Sequence, residues 1–283
     1  MMQGHEVHLV YTRLRTEERM LADALRARGF GVRTHADSEL VLPLSRERWQ
    51  DGGPVLMRSM SFTRARYLAS ILEVKGSRVL NTAQCIATCG DKALTTLALA
   101  RAEVPIPWAF VGFEEEACVA QMQERGFPVV TKPVLGSWGR MVARVDGVHA
   151  AEGMMSMRFE MGGAQDHVAL VQQYIDKPGY DLRVYVIGKA VGGMRRRSEH
   201  WVTNTARGAV PERYEVPESH ARLAEQAALA VGGEMVAVDL LETRTGEVLV
   251  NEINHCVEFA RSIEFTGIPL PELMADYVRE TLR

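Results

Sequence analysis

The order of the apolar segments changes once along the chain, and this change limits the possible folds more than any other feature. In the first 90 residues, short apolar runs at 5–11, 55–57 and 79–80 alternate with amphipathic helical runs. Alternation at this spacing favours a parallel sheet. From about residue 168 onward, strand-like runs follow one another with one helical run, at 220–231, among them. Such a run of strands favours an antiparallel sheet. The sequence therefore predicts an α/β (α+β) protein with both kinds of sheet.

The same pattern divides the chain into three parts. Residues 1–90 are expected to form an N-terminal α/β domain, and residues 91–166 a central lobe. Residues 167–283 are expected to form a C-terminal lobe. The strand-like runs assigned to this last lobe are 168–175, 182–187, 190–195, 235–241 and 248–253.

Composition excludes several classes of protein. A formal net charge of −3 provides no overall basic field for nucleic acid. The sequence lacks the run of about 18 apolar residues that a membrane helix needs, and its start lacks the basic and apolar regions of a signal peptide. The four cysteines form no CxxC pair, so buried thiols in a reduced compartment are the favoured interpretation. We therefore expect a cytoplasmic protein that binds neither nucleic acid nor membrane.

The clearest local signal is a pair of strands that carry acidic residues and are joined by a short turn. Asp239 interrupts an otherwise apolar strand, and Glu252 and Asn254 share one face of the next strand because they are two residues apart. If residues 245–246 form a two-residue turn, Asp239 lies directly opposite Glu252. Facing carboxylates repel each other, and a divalent cation such as Mg²⁺ would turn that repulsion into a binding site. The alternative is a hairpin of different register in which one acid faces solvent.

A second signal is a glycine loop that follows a lysine. Lys132 ends a strand-like run and precedes the Gly-Ser-Trp-Gly sequence of residues 136–139 and Arg140. Glycines let backbone N–H groups approach phosphate oxygens, and a nearby ammonium adds positive charge. A plain hairpin turn is an equally good interpretation of this loop taken alone. The sequence contains neither a GxxxxGK[ST] P-loop nor a GxGxxG motif that opens a helix after a strand.

Cationic residues are concentrated in one stretch. Between Arg183 and Arg213 there are seven lysines and arginines against two glutamates, which suits an anionic ligand. The stretch includes the triple arginine 195–197, although such a run is also typical of a protected edge strand. Lysine is scarce, with five in the chain, so a lysine within a motif carries more weight. Lys92 follows Asp91 at the start of a helical run, where an aspartate is often simply a helix cap.

The order of these motifs resembles that of the ATP-grasp superfamily. The motifs are, in order, Lys92, Lys132 with the glycine loop, the 172–175 strand, Asp181-x-Arg183, the arginine-rich strand, Asn-x-x-Arg-Gly at 204–208 and Asp239…Glu252-x-Asn254. Within the superfamily the sequence resembles RimK-type glutamate ligases, and especially LysX-type ligases. LysX-type enzymes join α-aminoadipate to the C-terminal glutamate of a small acidic amino-group carrier protein, LysW. The resemblance covers essentially the whole chain, and residues 198–208 are its most branch-specific part.

The resemblance implies an ATP-grasp fold in which two lobes clasp ATP and two Mg²⁺ ions. It assigns the nucleotide to Lys92, Lys132, Ser137, Trp138, Gly139, Arg140, Gln172, Tyr174, Ile175 and Asp181. In this assignment the two lysines contact the phosphates, the 137–140 loop closes over them, and residues 172–175 frame the adenine. The metal ligands would be Asp239, Glu252 and Asn254.

The resemblance also implies the reaction and the partners. The catalytic residues facing the acyl phosphate would be Arg183, Arg195 and Arg207, and the substrate-binding residues Arg196, His200, Asn204 and Thr205. The expected reaction joins α-aminoadipate, with glutamate as the alternative amino acid, to the terminal glutamate of a LysW-like acidic carrier protein. A homo-oligomer, dimer or tetramer, is also expected.

The sequence differs from the usual pattern of this branch at one position, and two rival interpretations of its function stay open. Ala209 follows Arg-Gly where the branch usually has a second glycine, and this leaves the choice of amino acid undecided. One rival is a ligase that adds glutamate to a protein tail or a cofactor. The other is a nucleotide-binding regulator without turnover. The presence of the whole metal set, together with Arg183 and Arg207, argues against it.

Overall fold

The computed structural model describes residues 6–45, 47–50, 52–136, 139–203 and 208–282. Its N-terminal part contains a four-stranded parallel sheet with the strand order β2-β1-β3-β4. The strands are β1 (Glu6–Tyr11), β2 (Gly31–Ala36), β3 (Val55–Arg58) and β4 (Val79–Leu80), and they are joined by helices that include α1 (Thr16–Ala27) and α2 (Phe62–Val74). The predicted parallel sheet is confirmed. The apolar pattern did not predict β2, because this edge strand has no buried residue to produce an apolar run.

Helix α3 (Ala83–Gly90) packs on the core of the N-terminal domain through Ile86 and leads into the central lobe. This lobe contains an antiparallel sheet with the strand order β5-β8-β6-β7. Its elements are α4 (Lys92–Arg101), β5 (Ala109–Gly112), α5 (Glu115–Arg125), β6 (Val129–Pro133), β7 (Ala143–Val145), α6 (Val148–Met161) and β8 (Ala169–Gln173). Strand β8 was grouped with the C-terminal lobe in the sequence analysis, but it pairs with β5 and β6. A strand-like pattern does not show which strands pair with each other, and for this reason β8 was assigned to the wrong lobe.

The C-terminal lobe is a five-stranded antiparallel sheet with the strand order β11-β10-β9-β12-β13, as the run of strands predicted. Its elements are β9 (Tyr180–Ile187), β10 (Lys189–Arg197), β11 (Val210–Tyr214), α7 (Glu218–Ala230), β12 (Met235–Glu242), β13 (Val248–Asn254), α8 (Ala260–Thr266) and α9 (Leu270–Thr281). The sequence pattern did not predict β11 and α8, which are both short.

One hydrophobic core is shared by the N-terminal domain and the C-terminal lobe. It is formed by residues of β1 and α1 together with residues of β9, β12 and α9, and its fully buried members include Val7, Leu9, Leu21, Leu25, Tyr185, Ala237, Leu270 and Val278. The central lobe has a separate core around Met122 and Met155. Cys85, Cys89 and Cys118 are free and buried, as expected of small apolar side chains. Within the described ranges, no helix is both long and apolar enough to span a membrane.

Candidate functional site

Two cavities meet at the C-terminal sheet. The first, of about 110 Å³, lies between the central lobe and this sheet, and Lys132 and Gln172 are on its central-lobe side. The second, of about 420 Å³, lies between the C-terminal lobe and the N-terminal domain. Both cavities are lined by Gly136, Arg196, Asp239 and Glu252. These four residues therefore form the wall at which the contents of the two cavities would meet.

The acidic hairpin has the predicted pairing but not the predicted turn. Asp239 lies opposite Glu252, which confirms the expected register at this point. The turn, however, contains three residues, because the Thr243 N–H donates to the Glu247 carbonyl at 2.8 Å. The register shifts back through a β-bulge between Asp239 and Leu240, where Asn251 is the extra residue of β13. The longer turn shifts the register by one residue, and the bulge shifts it back, so Glu252 keeps the predicted partner.

Asp239 is buried, and the charged groups that contact it are arginines. Arg183 donates two hydrogen bonds to it, at 2.7 and 2.8 Å, and the Arg196 Nη2 atom lies 3.1 Å from its Oδ2 atom. Burial alone would raise the pKa of Asp239. The two arginine charges and their hydrogen bonds outweigh this effect and hold the pKa at about 2. Asp239 is therefore ionised near pH 7.

The oxygen atoms at this wall suit Mg²⁺. Glu252 lies 3.6 Å from the Lys92 ammonium, and the Asn254 amide nitrogen is 3.4 Å from Asp239. Among the described residues there is no group of three or more His, Cys, Asp and Glu side chains that would enclose a metal. Two carboxylates and one amide fit an ion that keeps waters and takes its remaining ligands from substrate phosphates. The donor set therefore fits Mg²⁺, although Asp239 would share its oxygens with two arginines.

The two lysines singled out in the sequence reach the first cavity from different elements. Lys132, on β6, is buried and donates to the Asn251 side-chain oxygen at 2.9 Å. Burial lowers the pKa of Lys132 to about 8. Lys92, at the start of α4, hydrogen-bonds to the carbonyl of Gly136 in the glycine loop. Asp91 caps this helix through the backbone N–H groups of residues 93 and 94, so its capping interpretation is confirmed.

The remaining residues expected at the nucleotide also line the first cavity where the structure describes them. These are Gly139, Arg140, Gln172, Tyr174, Ile175 and Asp181. Ser137 and Trp138 lie outside the described residues. The Tyr174 ring lies 4.4 Å from the Arg144 guanidinium, measured to the ring centroid, and 6.1 Å from the Trp201 ring, centroid to centroid. Aromatic rings therefore lie at this end of the cavity.

A chain of polar contacts that the sequence analysis missed runs along the first cavity. Arg196 makes two hydrogen bonds to Asp181, at 2.7 and 2.8 Å, and Thr203 donates to the same carboxylate at 2.5 Å. Lys177 donates to Thr203 at 2.6 Å, and burial lowers its pKa. The scarcity of lysine was the sequence signal that would have found Lys177. Asn251, the bulge residue, was missed as well and had no comparable signal.

Strand alternation corrects the expectation for Arg195. Adjacent residues of β10 point to opposite faces of the sheet, so Arg196 lines both cavities while Arg195 packs against the rings of Tyr180 and Tyr214 on the other face, at 4.3 and 5.6 Å. Arg195 therefore lines neither cavity, contrary to the expectation that it faces the substrates. Arg197 also lies away from the cavities and pairs with Glu212 at 2.8 Å.

Four more residues were expected near the substrates, namely His200, Asn204, Thr205 and Arg207. His200 is exposed, and its ring accepts a hydrogen bond from the Val202 N–H at 3.1 Å. It is not among the described residues that line either cavity, which corrects its assignment to the substrate. Asn204, Thr205 and Arg207 lie outside the described residues. The described cations of the 183–213 stretch therefore do not form one surface, since they are divided between two faces of the sheet.

The N-terminal domain shapes the second cavity through a buried ion pair and the polar contacts around it. Arg58 donates to the Val257 carbonyl at 2.7 Å and to Glu18 at 3.1 Å. Arg15 joins Glu18 to Glu258, each at about 3 Å. These contacts fix residues 255–259, several of which line the cavity. Burial, with the charge of Arg58, lowers the pKa of His255 to about 4, so this cavity residue is neutral near pH 7.

Comparison with known proteins identifies the family. A model described as the LysX preATP-grasp domain matches residues 7–88, and one described as the RimK-like ATP-grasp domain matches residues 89–278. The glutamate–LysW ligase ArgX of Sulfurisphaera tokodaii is 31% identical over 97% of this chain and 98% of its own. The alpha-aminoadipate–LysW ligase LysX of Saccharolobus solfataricus is 29% identical over 95% of this chain and 99% of its own.

A solved structure agrees with these matches. The crystal structure of a RimK domain ATP-grasp protein from Sphaerobacter thermophilus has a TM-score of 0.79 and 29% identity, and the alignment covers 96% of this chain and 98% of that one. The expected ATP-grasp fold is thus confirmed. The chain belongs to the RimK-like ATP-grasp family of ligases.

Proposed function

We propose that this ligase uses ATP to join the amino group of α-aminoadipate to the C-terminal glutamate side chain of a small acidic, LysW-like carrier protein. The observation that carries the proposal is the wall shared by the two cavities at Asp239, Glu252 and Arg196. The first cavity contains a buried lysine and a glycine loop suited to phosphates. The second opens beside the N-terminal domain, where a protein tail and an amino acid would enter. A phosphoryl group and a carboxylate entering from these two sides would meet at the wall.

The proposed reaction has two steps. A carboxylate oxygen of the carrier's terminal glutamate attacks the γ-phosphorus of ATP, which gives an acyl phosphate and ADP. The amino nitrogen of α-aminoadipate then attacks the acyl carbon, phosphate leaves, and the amine loses a proton as the amide forms. The reaction needs no nucleophilic side chain, because the substrate itself is activated. The protein must bring anions together, neutralise them and exclude water from the acyl phosphate.

The described residues divide this work between the two cavities. Lys132 and Lys92 would contact the phosphates from β6 and α4. ATP-grasp ligases use ATP and Mg²⁺, and we propose that two Mg²⁺ ions held by Asp239, Glu252 and Asn254 would neutralise charge on the transferred phosphoryl group. Arg183 and Arg196 would then stabilise the oxyanion that develops at the acyl carbon. Arg207, Asn204 and Thr205 are proposed to contact the acidic substrates on the strength of the resemblance.

The amino acid is the finer part of the proposal. The names of the relatives include both glutamate and α-aminoadipate, so glutamate is the second candidate. The experiment is a ligation assay with ATP, Mg²⁺ and a LysW-like carrier that ends in glutamate, supplied with each amino acid alone and with both in competition. Mass spectrometry of the intact carrier separates the two products, because they differ by one methylene group.

The carrier itself provides the matched control. A carrier shortened by its terminal glutamate should remain unmodified, while ADP release should depend on the intact tail. If neither amino acid is added to the carrier, and free glutamate or another protein tail is ligated instead, the carrier-protein proposal is overturned in favour of the rival ligase. Absence of ADP release with every substrate would favour the non-catalytic regulator.

The assembly state is also a proposal. We propose a homo-oligomer, a dimer or a tetramer, as the resemblance implies. Light scattering coupled to size-exclusion chromatography measures the mass directly, and a single peak at 31.5 kDa, the mass of one chain, would overturn it.

A further inference from the structure

We propose that Asn251 is a positioning residue that holds the Lys132 ammonium in place for the nucleotide phosphates. The inference rests on the proposed ATP site in the first cavity. Asn251 immediately precedes Glu252, and it plays no part in the metal set described above. Its side chain instead reaches across the cavity to two strands of the central lobe.

A β-bulge in the backbone at Asn251 directs its side chain toward this contact. In a regular strand, adjacent residues point to opposite faces, so Asn251 would turn away from the cavity that Glu252 lines. The β-bulge places Asn251 as the extra residue between the partners of Asp239 and Leu240. As a result, Asn251 and Glu252 both line the first cavity. Bulges commonly redirect a side chain in this way beside an active site.

The Asn251 side-chain oxygen accepts two hydrogen bonds from the opposite wall. The Lys132 Nζ atom is 2.9 Å away, and the Gln172 Nε2 atom is 3.3 Å away. Lys132 is on β6 and Gln172 on β8, which are neighbouring strands, whereas Asn251 belongs to the C-terminal lobe. A single amide oxygen therefore links the two lobes across the site where the nucleotide would lie.

The chemistry of the amide explains why this residue suits the site. A buried ammonium needs a hydrogen-bond acceptor, because burial without one is costly. An asparagine oxygen meets this need without cancelling the charge, so Lys132 keeps its full attraction for a phosphate. An aspartate at the same place would also accept the hydrogen bonds, but it would neutralise the lysine and repel the phosphates. The neutral acceptor thus fixes the position of the lysine and preserves its charge.

Two substitutions of Asn251 distinguish positioning from simple structural support. Asn251→Asp should leave thermal stability unchanged or raise it, since it adds an ion pair with Lys132, yet it should weaken binding of Mg·ADP about tenfold. Asn251→Leu keeps the shape of the side chain and removes the acceptor, and it should weaken Mg·ADP binding to a similar extent. A merely structural role would make stability and affinity fall together. Glu247→Gln, an exposed change in the same hairpin, is the control and should alter neither.

The double variant Asn251→Leu/Lys132→Met tests whether Asn251 acts through the lysine. Its Mg·ADP affinity, measured by calorimetry on the full chain, should be close to that of Lys132→Met alone, because a lysine that is absent cannot be mispositioned. Losses that multiply in the double variant would overturn the inference, as would wild-type affinity in both Asn251 variants. Wild-type protein that binds no Mg·ADP would overturn the proposed ATP site and this inference with it.

Discussion

Arg183 and Asp239 form a bidentate ion pair inside the C-terminal sheet, with 2.7 Å between Nε and Oδ1 and 2.8 Å between Nη2 and Oδ2. The two residues are direct neighbours across β9 and β12. The proposed metal ligand is therefore also the counter-ion of a buried arginine. This double role separates Asp239 from Glu252, which is partly exposed and has one lysine at 3.6 Å.

The first prediction follows from that difference. Asp239→Asn leaves two guanidinium groups buried beside a neutral amide, and it should lower the free energy of unfolding by about 3 kcal/mol. Glu252→Gln should change that free energy by less than about 1 kcal/mol. Both variants should lose Mg²⁺-dependent ADP release. Thermal unfolding and an ADP assay on the two variants check this, and equal stability losses would contradict the distinction.

The second prediction concerns pH. The pKa of Lys132 is about 8 in the folded protein, against about 10.5 in an unfolded chain. Between these values the unfolded chain binds more protons, so this residue makes stability rise with pH from about 8 to 10.5. Below pH 8 the cost of burying the charged ammonium is fully present. Denaturant unfolding of the wild type and of Lys132→Met across pH 7–10 should show a stability difference that changes with pH in this direction. A difference that stays constant would contradict the lowered pKa.

The third prediction concerns how an acidic carrier approaches. Arg261 is exposed on the lining of the second cavity, whereas Arg197 is paired with Glu212 away from both cavities. Arg261→Ala should slow carrier association severalfold at low salt, and the effect should shrink as salt shortens the Debye length to about 8 Å. Arg197→Ala is the matched loss of charge and should leave association unchanged. Stopped-flow or surface-binding kinetics measure both, and equal effects would contradict a directed approach.

The fourth prediction concerns the shape of the second cavity. A Cβ atom on Gly90 would overlap the Phe62 ring, and both residues line this cavity. Gly90→Ala should therefore move the ring and raise the KM for the amino acid or the carrier, while the affinity for Mg·ADP stays near that of the wild type. Gly153→Ala is the control, because nothing lies within 4 Å of its new methyl group. Steady-state kinetics with each substrate varied in turn distinguish the two.

The sequence predicted the sheets and the acidic hairpin because these depend on local patterns. Period-two alternation and the spacing of Glu252 and Asn254 fixed which residues share a face. The predicted turn was one residue too short. The predicted pairing of Asp239 with Glu252 is nevertheless correct, because the bulge at Asn251 shifts the register by one residue. A bulge depends on the partner strand and on the opposite wall, so the local sequence does not reveal it.

Other features were missed because they depend on contacts between distant segments. Helix α6 carries exposed methionines at 157 and 161 beside the buried Met155, so its apolar residues show no single stripe. The contact of Arg58 with the Val257 carbonyl joins residues 199 positions apart. The face of Arg195 was assigned by resemblance, although the alternation of β10 already implied that Arg195 and Arg196 could not both face the cavities.

The core shared by β1, α1, β9 and α9 has a consequence for how such an enzyme can change during evolution. The same packing that keeps the N-terminal domain folded also sets the distance between the two walls of the second cavity. Phe259 belongs to this core and also lines the second cavity, so a substitution there changes the packing and the cavity together. Lineages that acquire a new amino-acid preference should carry compensating changes in this core, even where those residues never touch a substrate.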